Sequence, residues 1–229
     1  MTAAATPPGS AAPSNHGATL LRAAWLAVVL GLVMEGILLL AGAGLGESLG
    51  LGKVTADLVR NVSWSAFVCV GLAVGTTLAK SRVPFAGLAG LLAAPAAFEV
   101  SRTVHKGTLE ALSVSGDATS PPALLVAVIK GVEYGCLGMA VAWLGSRPWG
   151  GAVAHAGLGL LVGTIFGGTL VAVTLAYVPE TTTVALVSQG INELLFPVGC
   201  SLVLFSAGAL ERRISSHHPD QRTTAGQSP

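Results

Sequence analysis

The stretch Trp25-Leu26-Ala27-Val28-Val29-Leu30-Gly31-Leu32-Val33-Met34-Glu35-Gly36-Ile37-Leu38-Leu39-Leu40 decides the fold class. Its apolar residues run without a gap, apart from one carboxylate, for about the length a helix needs to cross a bilayer. The run is too long for a secretion signal, although Leu40-Ala41-Gly42-Ala43 resembles a cleavage site, and Glu35 interrupts its centre. It reads as a retained span.

Five further runs of this kind follow, so the expectation is an all-α integral membrane protein of six transmembrane helices. The spans are expected at 20–44, 57–79, 84–104, 122–145, 150–177 and 183–209. The whole chain agrees: of 229 residues, 52% are hydrophobic and 10% charged. Soluble domains carry roughly 25% charged residues. The net charge of +1 comes with no basic patch or aromatic-basic interleaving, so no nucleic-acid partner is expected. The expected surroundings are a lipid bilayer, with a homo-oligomer or a partner membrane subunit left open.

Residues 1–18 and 211–229 are rich in small and polar residues and read as disordered tails. Between them the chain divides into a first three-helix repeat, 19–104, an external loop, 105–121, and a second three-helix repeat, 122–210. Asp117, Ser120, Pro121 and Pro122 mark the join. Arg22, Lys80, Arg82, Arg147, Arg212, Arg213 and Arg222 collect on the side of the termini, against Lys53, Arg60, Arg102 and Lys106 opposite. The positive-inside bias then puts both termini in the cytoplasm, of a plasma or inner membrane.

The halves match in places. Gly71-Leu72-Ala73-Val74-Gly75-Thr76 recurs as Gly159-Leu160-Leu161-Val162-Gly163-Thr164, with Gly167 continuing the second glycine row. Glu35 has a counterpart in Glu133, and Glu99 in Glu193. A duplicated unit of three spans must enter the membrane in the opposite sense, which gives a 3+3 inverted repeat. The glycine rows are scaffold, and they predict that the second and fifth spans cross through these faces.

Carboxylates in hydrocarbon are costly, about 2.5–3.5 kcal/mol each on insertion scales, so intramembrane acids are functional candidates by default. Glu35, Glu133 and Glu193 fall near the midplane, and the sequence reading brings them together in one wet cavity. Lys130, one turn before Glu133, is the internal counter-charge. Glu99 has Arg102 and Lys106 on its own helix, and a local ion pair explains it as well as a site does. Arg60-Asn61, at the start of the second span, is either a counter-charge at the external mouth or a pair snorkelling to headgroups.

Pro197 lacks the N–H that would satisfy the carbonyl of Glu193, and Asn192 is adjacent, so a freed backbone oxygen is expected beside a carboxylate. Pro95 breaks the third span one turn before Glu99, and a pair of proline-interrupted helices, at Pro95 and Pro197, points to a transporter binding site. Oxygens grouped in this way suit a hard cation or a proton relay.

Other chemistry is sparse. Cys69, Cys136 and Cys200 are isolated in apolar runs and read as small hydrophobes. His155 lacks a partner for haem, so no cofactor is expected, and the tail residues His217 and His218 suit a solvated segment. Tyr134 either hydrogen-bonds Glu133 or fills space. Dinucleotide, Walker, nucleophile-elbow and HExxH motifs are missing from the sequence, which favours a non-enzymatic protein. The resulting expectation is a small transporter or channel with an acidic site for a cation, a proton or a proton-coupled small solute. The alternatives are a non-catalytic subunit or assembly factor, and a lipid-headgroup enzyme built on Glu99, Arg60, Arg102, Lys106 and the external loop.

Overall fold

Long apolar runs with few internal breakers fold as helices, because a bilayer offers the backbone no other hydrogen-bond partners. A computed structural model describes residues 16–46, 50–77, 82–115 and 120–216. It contains six helices: α1 His16–Gly44, α2 Leu51–Thr77, α3 Arg82–Ala111, α4 Ala123–Leu144, α5 Ala152–Tyr177 and α6 Thr183–Ser216. All six are long and apolar enough to cross a membrane, which fits a multi-pass integral membrane protein. Strands do not occur among the described residues.

Four helix ends lie four or more residues beyond expectation. Helix α1 begins at His16 instead of 20, α2 at Leu51 instead of 57, α3 continues to Ala111 instead of 104, and α6 to Ser216 instead of 209, so residues 16–18 and 211–216, read as tail, are helical. Lys53, Asp57 and Arg60 interrupt the apolar count, but their side chains line a cavity while their backbone stays helical. The proposed tails lie largely outside the described residues, as do Lys80, Arg212, Arg213, Arg222, His217 and His218 in whole or in side chain.

Each helix packs on its chain neighbours, and α1 also meets α6, which closes a ring. Inside that ring α2, α4 and α6 touch one another. Burial follows the same alternation. In the apolar windows of α2, α4 and α6, 44%, 50% and 44% of residues are buried, against 28% in each of α1, α3 and α5. The period of burial is therefore two helices, whereas a three-helix repeat would make α1 equivalent to α4.

The expected crossing of α2 with α5 is not found, because these helices do not pack on each other. Gly71 and Gly75 face Ala93 and Ala89 of α3, while Gly159 and Gly163 face Val198 and Leu194 of α6. The glycine rows do allow close approach, but each serves its own sequence neighbour. Polar cross-links repeat this pairing. Ser65 of α2 donates to the Ala27 carbonyl of α1 at 2.7 Å, and Ser201 of α6 donates to the His155 carbonyl of α5 at 2.7 Å.

The prolines are absorbed by the same packing. Pro95 frees the carbonyl of Leu91, and that oxygen lies against Gly131 of α4, where an added Cβ would come within 3.1 Å of it. Pro197 frees the carbonyl of Glu193, which lies against Gly163 of α5, where the same construction gives 2.9 Å. Each freed oxygen is covered by a glycine of the adjacent helix, a placement suited to Cα–H···O contact. The expected opening of the Glu193 carbonyl toward a cation is thereby corrected.

Candidate functional site

Glu35 lies nine residues before the end of α1, and Glu133 and Glu193 each lie ten residues into their helices. At 1.5 Å per residue, all three sit about 14–15 Å below the helix ends on the face opposite the termini. Equal depth does not make one site. Glu133 and Glu193 converge, and Glu35 stands apart from them.

Glu133 is fully buried and Glu193 is 8% exposed, and both bind Lys130, itself 6% exposed. The Lys130 ammonium donates to Glu133 Oε2 at 3.0 Å and, more closely, to Glu193 Oε2. The first partner is one turn away on α4, and the second comes across from α6. The ammonium also lies 5.5 Å from the Trp64 ring centroid and 5.6 Å from that of Tyr134. Trp64 meets both Tyr134 and Phe196 edge-on, at 5.5 and 6.3 Å between centroids. Aromatic faces and carboxylates thus share one desolvated cation. The triad is a closed, packed feature.

Three buried polar atoms near this level have no hydrogen-bond partner among the described residues: Glu133 Oε1, Tyr134 Oη and Asn192 Oδ1. Tyr134 therefore does not hydrogen-bond Glu133, and its contribution is the ring beneath Lys130.

Glu35 is 4% exposed, and Asn61 of α2 donates to its Oε2 at 2.7 Å. Among the described residues no basic group lies within ion-pair distance of it. Instead it lines a cavity of about 440 Å³. Glu35, Leu38 and Leu39 contribute one face of α1, and Lys53, Val54, Asp57 and Arg60 one face of α2. Ala185 and Ser188 contribute α6. Asn192 is one turn beyond Ser188 on the same helical face, and its unpartnered oxygen is buried outside the cavity lining. Asp57 is held by His105 Nε2 of α3 at 3.0 Å and more loosely by Arg60 at 3.9 Å.

The other sequence candidates fall outside these two centres. Glu99 is largely exposed and sits 4.0 Å from Arg102, as a local ion pair. Arg60 lines the cavity at the depth of Glu35, while Arg102 and Lys106 do not line it. His155 is buried, contacts the Gly151 carbonyl at 3.0 Å and packs on Phe205. Groups of three or more metal-ligating side chains do not occur among the described residues.

Sequence reasoning missed Asp57 and Trp64, and it paired Asn61 with Arg60 at the external mouth instead of with Glu35. Cys69 and Cys200 are fully buried, as small hydrophobes should be, and they lie 3.3 Å apart, Sγ to Sγ, between α2 and α6, a pairing that their separation in the chain hides. Comparison with protein-family models, with curated proteins and with solved structures finds no match for this chain.

Proposed function

We propose that the chain is a small membrane transporter in which solute enters the cavity floored by Glu35. The observation that carries this reading is a buried carboxylate at mid-depth that faces a cavity and is held only by an amide. A purely structural acid at such depth needs a neutralising partner, since an unpaired charge in a low-dielectric surround is strongly disfavoured. An amide supplies one hydrogen bond and no charge, which leaves Glu35 suited to receive a cationic group or a proton.

In this reading the Lys130–Glu133–Glu193 triad is the inner barrier. It carries two acids on one ammonium, so a proton or cation reaching it along Asn192 would change which acid Lys130 holds. Exchange of access would follow from movement of α6 relative to α1 and α2. The two-helix period of burial supports motion at such a seam better than rocking of two three-helix halves. An inverted 3+3 duplication still accounts for the repeated glycine hexapeptide.

The test is flux in proteoliposomes, across a panel of inorganic cations and small solutes, with internal pH recorded. Glu35→Gln keeps the bond to Asn61 and should abolish flux while expression and gel-filtration behaviour stay normal. Undiminished flux in that variant refutes the reading. A second reading, a non-transporting membrane subunit, is favoured by the closed packing of the triad. It predicts no flux of any solute from wild-type protein.

A further inference from the structure

The cavity above Glu35 is not purely acidic. Among the described residues Glu35 and Asp57 line it together with Lys53 and Arg60, two carboxylates and two cations. A site selecting an inorganic cation gains nothing from basic groups on its wall, because like charge repels the ligand on entry. The charges are also unequally available. Asp57 is occupied by His105 and, at 3.9 Å, by Arg60. Among the described residues Glu35 is hydrogen-bonded only by Asn61, through one oxygen.

Arg60 has five N–H donors and makes a single long contact to Asp57, with its side chain 41% exposed. One acid on α1 and one guanidinium on α2, each nine residues from the helix end that frames the cavity, therefore remain for a ligand. Leu38, Leu39 and Val54 supply apolar wall nearer those ends. A cavity of about 440 Å³ holds a ligand displacing roughly fifteen waters, at about 30 Å³ per water.

We infer that this cavity binds a small organic zwitterion, its ammonium on Glu35 and its anionic group on Arg60. The inference rests on the transport reading for its physiological sense, but binding alone can test it. A net-neutral ligand also suits the location. It brings no net charge into the low-dielectric interior, whereas a bare metal cation would have to shed its hydration against a mixed-charge wall.

The experiment is calorimetric titration of the full-length protein in detergent micelles. The probes are glycine, 4-aminobutyrate and 6-aminohexanoate as zwitterions of graded length, n-pentylamine as a cation, hexanoate as an anion, and sodium and potassium chloride. At least one zwitterion should bind about tenfold or more tighter than both the amine and the carboxylate. Its affinity should fall about tenfold or more in Glu35→Gln and again in Arg60→Gln, whereas the amine should respond to Glu35→Gln alone.

Ala185→Trp, at an exposed position on the cavity wall, should block every ligand and serves if either charge variant folds poorly. The inference is overturned if the amine or a metal cation binds as tightly as any zwitterion, or if Arg60→Gln leaves zwitterion affinity intact. Zwitterion binding without flux in proteoliposomes would remove the transport reading and leave this site. Flux of an inorganic cation without zwitterion binding would do the reverse.

Discussion

The cavity around Glu35 and the triad around Lys130 place acids at the same depth and treat them in opposite ways. In the triad an ammonium lies between two carboxylates, three aromatic rings close the surround, and each member is at least nine-tenths buried. In the cavity a carboxylate meets one amide and open space. The difference teaches that burial alone does not separate scaffold from site, since Glu35 and Glu133 are both buried. What separates them is whether the partner neutralises the charge and whether a void adjoins it.

Breaking the triad should have the largest effect. Lys130→Met leaves two acids facing each other without a cation and should cost about 3–5 kcal/mol. It would be read as loss of folded protein or a large fall in the thermal midpoint in micelles. Adding Glu133→Gln and Glu193→Gln should recover most of that loss, because the charge being stranded is then gone. If Lys130→Met alone is tolerated, the triad is not the closed unit that the comparison requires.

Next comes the seam that covers the proline-freed oxygen. Gly163→Ala pushes a methyl against the Glu193 and Leu194 carbonyls, which are backbone and cannot swing aside. It should cost about 1–3 kcal/mol in thermal unfolding. On the cavity side, Asn61→Ala removes the one donor to Glu35, at about 1–3 kcal/mol if Glu35 stays ionised. The smallest effect sharpens the contrast. Gly36, beside Glu35, has open space where a Cβ would go. Gly36→Ala should raise stability by about 0.5–1 kcal/mol through helix propensity.

The helices were legible because hydropathy acts locally: each span is a continuous run, and the ends of α4 and α5 fall within two residues of expectation. The start of α2 was not, because Lys53 precedes the continuous apolar run and reads as a loop residue until the cavity that takes its side chain is known. Half of the triad was legible as well. The Lys130–Glu133 spacing is a helical turn, but Glu193 is 63 residues from Lys130 and reaches it only through the packing of α4 on α6. The convergence of all three midplane acids was expected and does not occur, since depth can be counted along a helix while its rotation about its axis cannot. Asn61 and Glu35, 26 residues apart, meet for the same non-local reason.

Cys69 and Cys200 lie about 25 Å or more along α2 and α6 from the helix ends that frame the cavity, well below both charged centres. In the packed state neither sulfur is exposed to a reagent, so alkylation must wait for α6 to part from α2. With Cys136 replaced by serine, the rate of maleimide labelling becomes a stopwatch for that excursion. A ligand that holds the two helices together should slow the clock.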